Sequence, residues 1–234
     1  SQWMRGNRQV VLFCDVHNSA DVVGVQMRDD DFAEAAAFSQ QGLQDCIKPL
    51  AAAADDDEFR VVDAVATALG QCHAKEALEP QPTLRAAFAW MKKHPPKPAQ
   101  KIVLVHADYR TGNFLAKPDG EIVAMLDWEM THIGDPLEDI GWACIRPWRW
   151  IGTEHIGGLM DRAGLYAKYE EYSGLKIDED SVRFWEVLGN AKLAAIFLTG
   201  GRSYCEGRTH SPMMAFIARN VRRLELEIMD LMGV

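Results

Sequence analysis

Ile102-Val103-Leu104-Val105-His106-Ala107-Asp108-Tyr109-Arg110-Thr111-Gly112-Asn113 decides the fold when it is taken with the hairpin that follows, residues 114–126, and with Asp127-Trp128-Glu129. Residues 102–105 are aliphatic without a break and come after a Pro- and Lys-rich loop, 94–101, that cannot continue a helix. A short buried strand is therefore expected to run into an exposed loop. Phe114-Leu115-Ala116, Lys117-Pro118-Asp119-Gly120 and Glu121-Ile122-Val123-Ala124-Met125-Leu126 read as strand, tight turn and strand. Folding that hairpin brings Asn113, just before its first strand, close to Asp127, just after its second.

An amide oxygen and a carboxylate held together are hard donors of the kind that suits Mg²⁺, which keeps several waters and shares phosphate oxygens with its substrate. Asp108 lies five residues before Asn113, where it can face such a metal pair without being a ligand. A carboxylate there can accept the proton of an attacking hydroxyl. Arg110 has two readings, a fixed positive charge for a transferred phosphoryl group or an ordinary surface ion pair. His106 reads as a brace for the loop. Asp135 and Asp139 read as groups that hold loop backbone and cap the following helix. Glu129 has no assigned role, and His132 reads as structural at the border of the cleft.

These residues carry a resemblance. His106, Asp108 and Asn113 match the His-x-Asp-x4-Asn pattern of the aminoglycoside phosphotransferase family, small-molecule kinases with a protein-kinase-like fold. Asp127 matches that family's later Asp, and Gly134-Asp135-Pro136 with Asp139 matches its Gly-Asp-Pro and following Asp. Asp127-Trp128-Glu129, Tyr109-Arg110 and Arg183-Phe184-Trp185-Glu186 are most similar to the branch that includes kinase-like domains fused to acyl-CoA dehydrogenases. The resemblance implies an α+β, protein-kinase-like fold, mostly the helical C-terminal lobe with a small catalytic β-hairpin. It implies ATP and Mg²⁺ as cofactors and a small-molecule hydroxyl acceptor. Asp108 and Arg110 would be catalytic, and Asn113 and Asp127 would hold metal and nucleotide.

Upstream, no Gly-rich phosphate loop or strand Lys precedes Asp108. Two apolar runs, 10–13 and 22–25, are the best candidates for the last strands of an N-terminal lobe. We therefore expect residues 1–35 to be a remnant of that lobe and hinge, and 36–234 to be the helical lobe. The chain begins at Ser1 without an initiator Met, so the lobe is expected to be truncated or largely missing from it. A chain that lacks it suggests an alternative, a non-catalytic kinase-like module that binds a ligand or partner. A metal hydrolase built on His106, Asp108, Asp127 and His132 has the residue types but not the closely spaced His pair.

The remaining sequence reads as helices at 60–78, with Leu69 and His73 in a family-like Leu-x-x-x-His, and at 83–94, 156–172, 178–198 and from Ser211 to Gly233. Trp142, Trp148 and Trp150 are core residues or acceptor-pocket lining. A formal net charge of −9 argues against nucleic acid as a partner. Five cysteines without a Cys-x-x-Cys pair read as free thiols in a reducing, cytoplasmic setting. The most apolar run, 193–198, is far too short to cross a membrane.

Overall fold

The computed structural model describes residues 80–117, 120–149 and 154–234. The proposed boundary at residue 35, the apolar runs at 10–13 and 22–25, the helix at 60–78 and Trp150 lie outside these residues. Helix α1 (Pro82–Lys93) starts with Pro in its first turn, where the missing N–H costs nothing. It buries Leu84, Ala87, Phe88 and Met91 and leads through the proline-rich loop to β1 (Val103–Val105).

Strand β1 is not the fully buried strand that its composition predicts. Val105 is buried, but Ile102 is 51% and Leu104 57% exposed. Alternation sends side chains to opposite faces of a strand, and only one face of β1 meets the helical core. β1 pairs with β4 (His132–Gly134), a strand that its three residues do not announce, in antiparallel register with Val105 opposite His132. The expected hairpin forms as β2 (Phe114–Ala116) and β3 (Ile122–Met125), with Phe114 opposite Met125 and a bulge next to Leu115. A 3₁₀ turn, Thr111–Asn113, delivers the chain into β2.

Helix α2 (Leu137–Cys144) follows β4 at once and buries Leu137, Ile140, Trp142, Ala143 and Cys144. It crosses α4 (Glu179–Cys205) so closely that a Cβ at Gly141 would stand 2.4 Å from Cβ of Trp185. Residues 156–160 form a turn rather than the start of a helix, and α3 (Arg162–Ser173) begins behind Asp161, whose side chain accepts from the Gly164 N–H at 2.7 Å. α4 runs past the expected end at 198, because Gly200 and Gly201 let α5 (Pro212–Ala218) approach and so favour continuing the helix; a Cβ at Gly201 would meet that of Ala218 at 2.5 Å. The single helix expected after Ser211 is two, α5 and α6 (Val221–Met232), joined at Arg219-Asn220; Gly233 ends the second in the left-handed conformation.

The core lies where α1, α2 and α6 meet α4. Buried Glu186 on α4 accepts from both terminal nitrogens of Arg162 at 2.8 and 2.6 Å, and Arg149 bonds Glu227 of α6 at 3.1 Å. These paired charges tie α3, α6 and the segment after α2 into one helical body, on which the loop between β1 and β2 rests. No helix of the described residues is long and apolar enough to cross a membrane.

Candidate active site

The loop between β1 and the hairpin is held from below by α2. Asp139 accepts from the backbone N–H groups of His106 and Ala107, both at 2.8 Å, one with each carboxylate oxygen. Burial pushes its carboxyl above the usual range, against the pull of those two amides. Ala107 has φ +66°, a left-handed conformation that costs an L-residue roughly 1 kcal/mol. Its carbonyl accepts from Lys192 Nζ of α4 at 3.0 Å, so Ala107 is clamped through its own N–H and C=O.

His106 braces the loop as expected. Its Nδ1 accepts from the Asp108 N–H at 3.2 Å, which leaves Nε2 to donate to the carbonyl of Leu126 at 2.8 Å. With both ring nitrogens engaged and His132 bonded to Met130 and Glu138, neither imidazole is available for a hydrolase metal site. The His106 bond crosses from the loop to the end of β3. The Leu126 N–H in turn donates to the Asn113 carbonyl at 2.8 Å, which makes Asp127 the next residue after a direct link to Asn113.

Asp108 is the hub. Asn113 Nδ2 donates to its Oδ2 at 2.6 Å and to its backbone carbonyl at 2.9 Å. Trp142 Nε1 donates to Oδ1 at 2.9 Å. Arg110 Nε stands 3.3 Å from both oxygens, the longest of these contacts. The Arg110 guanidinium also lies over the Trp148 ring at 5.1 Å and folds across Gly112, where any Cβ would fall 2.2 Å from Nη1. Of the two readings of Arg110, its ion pair is therefore with Asp108 itself.

Asn113 is 4% exposed, and because its amide nitrogen faces a carboxylate, its oxygen is the atom left for a cation. Asp127 is exposed, has φ +65°, and starts the 3₁₀ turn Trp128–Met130. Among the described residues its carboxylate carries no protein hydrogen bond. Asp135 does hold backbone as expected: Oδ1 accepts from the Leu137 N–H at 2.9 Å, while Trp185 Nε1 donates to Oδ2 at 3.3 Å. Glu129 is exposed.

Sequence reasoning missed two participants. Trp142 was open between core and pocket lining, and Lys192 drew no notice inside an apolar helix. Burial lowers the Lys192 pKa, opposed by Glu138, Asp108 and Asp139. The available signal for Trp142 was its spacing, three residues after Asp139 and thus on the same helix face.

A loop strand, a hairpin with Asn and Asp at its open end, and a helix that grips the loop backbone define a kinase-like phosphotransferase fold. The phosphotransferase enzyme family model matches residues 27–185, and the chain belongs to that family. It is 35% identical over 65 residues to acyl-CoA dehydrogenase family member 10 of Mus musculus (27% of this chain, 6% of the relative). It is 33% identical over 125 residues to family member 11 of Pongo abelii (49% and 16%). The chain thus spans a small part of these relatives. A crystal structure from Ralstonia eutropha, provisionally named an aminoglycoside phosphotransferase, superposes with a TM-score of 0.65 at 21% identity, over 84% of this chain and 66% of that one. That likeness supports the fold alone.

Proposed function

We propose that this protein transfers the γ-phosphoryl group of ATP, with Mg²⁺, to a hydroxyl of a small molecule. The observation that carries the proposal is the bonding of Asn113 to Asp108 at the hairpin's open end, with Asp127 next in the chain to the residue that pairs with Asn113. Asn113 is bonded to Asp108 through its side chain and to Leu126, beside Asp127, through its backbone. The donors fit Mg²⁺ in their chemistry: an amide oxygen and an exposed carboxylate, hard and few in number, as suits a cation that keeps waters and shares phosphate oxygens. Bound there, the cation would neutralise charge on the nucleotide phosphates.

Asp108 receives the proton of the acceptor hydroxyl. Its carboxylate offers about four lone-pair positions, and Trp142, Asn113 and the two Arg110 contacts occupy them. Arg110 makes the longest contacts, so it is the group that gives way. When its guanidinium turns to the transferred phosphoryl group, one face of Asp108 opens toward the acceptor. One motion supplies both charge stabilisation and a free base. Residues 1–35 are proposed to belong to the nucleotide-covering lobe. A reducing, cytoplasmic setting is proposed on the thiol composition, and Cys144 and Cys205 are unpaired.

The test is calorimetry of ATP with and without Mg²⁺, followed by a phosphate-transfer screen over hydroxylated small molecules. Metal-dependent ATP binding with transfer to an alcohol is the expected result. Binding without transfer to any acceptor or to water would support the non-catalytic module, and absence of metal-dependent binding would overturn the assignment of Asn113 and Asp127.

A further inference from the structure

We infer that Trp142, steadied by Lys192, is a positioning residue that sets the carboxylate plane of Asp108 for phosphoryl transfer. The inference rests on the reading of Asp108 as proton acceptor. Trp142 is 4% exposed, and its indole N–H can only donate, so the contact at 2.9 Å commits Oδ1 of Asp108 to accepting. Asn113 commits the other oxygen at 2.6 Å. Two donors on opposite oxygens, one from a buried helix and one from the loop itself, hold the plane of the carboxylate. A single donor would leave it free to rotate about its last bond.

The ring is held in its turn. Lys192 Nζ lies 4.7 Å from the centre of the Trp142 ring and donates to the Ala107 carbonyl at 3.0 Å. One cation therefore braces the indole and the left-handed residue directly before Asp108. Asp139, one helical turn before Trp142, takes the N–H groups on the other side of the same loop. Helix α2 thus meets the loop with two kinds of group, a carboxylate that fixes backbone and an indole that fixes the reacting side chain. A residue needed only to fill the core at position 142 would require neither the N–H nor the cation against its face.

The experiment uses the full chain, with water as phosphoryl acceptor and release of inorganic phosphate from Mg-ATP as the readout. The variants are Trp142→Phe, Asp108→Ala and their combination, together with replacement of Trp142 by benzothienylalanine, which keeps the bicyclic shape and lacks the N–H. We expect Trp142→Phe and the isostere each to lower kcat by roughly tenfold to a hundredfold, to leave KM for Mg-ATP within about twofold, and to add nothing in the Asp108→Ala background. Wild-type turnover in the isostere, or an equal loss from Trp142→Phe with and without Asp108, would overturn the inference and leave Asp108 as the base. Full turnover of Asp108→Ala, or a wild-type chain that passes phosphate neither to water nor to any alcohol in the acceptor screen, would instead bring down the reading of the site and this inference with it.

Discussion

Arg110 Nε stands equidistant, at 3.3 Å, from the two carboxylate oxygens of Asp108. The side chains are 29% and 14% exposed, so water screens the pair only in part. Under the proposed function, this pair neutralises the base at rest and opens for transfer. Asp108→Ala is expected to cut turnover by at least about a hundredfold while Mg-ATP affinity stays nearly unchanged. Arg110→Ala is expected to lower kcat by about tenfold or more through loss of phosphoryl stabilisation, despite uncovering Asp108. Steady-state phosphate release with parallel calorimetry checks both; an Arg110→Ala enzyme with raised kcat would reduce Arg110 to a plug.

Asp127→Asn keeps the size of the side chain and tolerates the left-handed backbone at φ +65°, so the fold should survive. Only the negative charge is lost. The expected result is weaker ATP binding in the presence of Mg²⁺ and unaltered binding in its absence, measured by titration calorimetry. Unchanged metal dependence would remove Asp127 from the ligand set.

Asp139→Ala should destabilise the protein. It strips the acceptor from two backbone N–H groups, those of His106 and Ala107, in a part-buried site. Leaving such donors unpaired costs about 1 to 3 kcal/mol each at full burial, and we expect a total of about 2 to 4 kcal/mol. Urea denaturation gives the number directly. A loss below about 1 kcal/mol would mean that water or another group replaces the carboxylate.

His132 is expected to give stability a pH dependence. Burial works against its charged form, but the hydrogen bond and the charge of Glu138, with a smaller contribution from the Met130 carbonyl, raise its pKa above the usual 6.5. The raised value means that the folded state binds the proton more tightly than the unfolded chain. The resulting stability is full below pH 6.5 and is lost as pH rises through the higher folded-state value. The imidazole side chain is 42% exposed, so the effect should be only a few tenths of a kcal/mol. Urea midpoints at pH 5.5 and 8 should fall slightly more for the wild type than for Glu138→Gln, and an equal fall in both would exclude this pair as the source.

The family, the hairpin and the residues gathered at its open end were all legible in residues 102–139. Each depends on neighbours close in the chain: a turn sequence fixes which residues pair across a hairpin, and pairing brings its ends together whatever the rest of the molecule does. Among the described residues, the positions of the expected helices were legible for the same reason, while their ends were less so. The extension of α4 through Gly200-Gly201 and the break at Arg219-Asn220 reflect how closely α5 packs, which periodicity along one helix does not encode.

By itself, then, the sequence determined that Asp108, Asn113 and Asp127 would share one end of a hairpin next to a phosphotransferase-type loop. Only the tertiary structure decided what surrounds Asp108: Trp142 from 34 residues away, and the Lys192 bond to Ala107 across 85. The reason is physical. Local hydrogen bonds and side-chain alternation are written in short-range order, whereas an indole N–H or a lysine finds its partner only after helices have packed and excluded the water that would otherwise satisfy it.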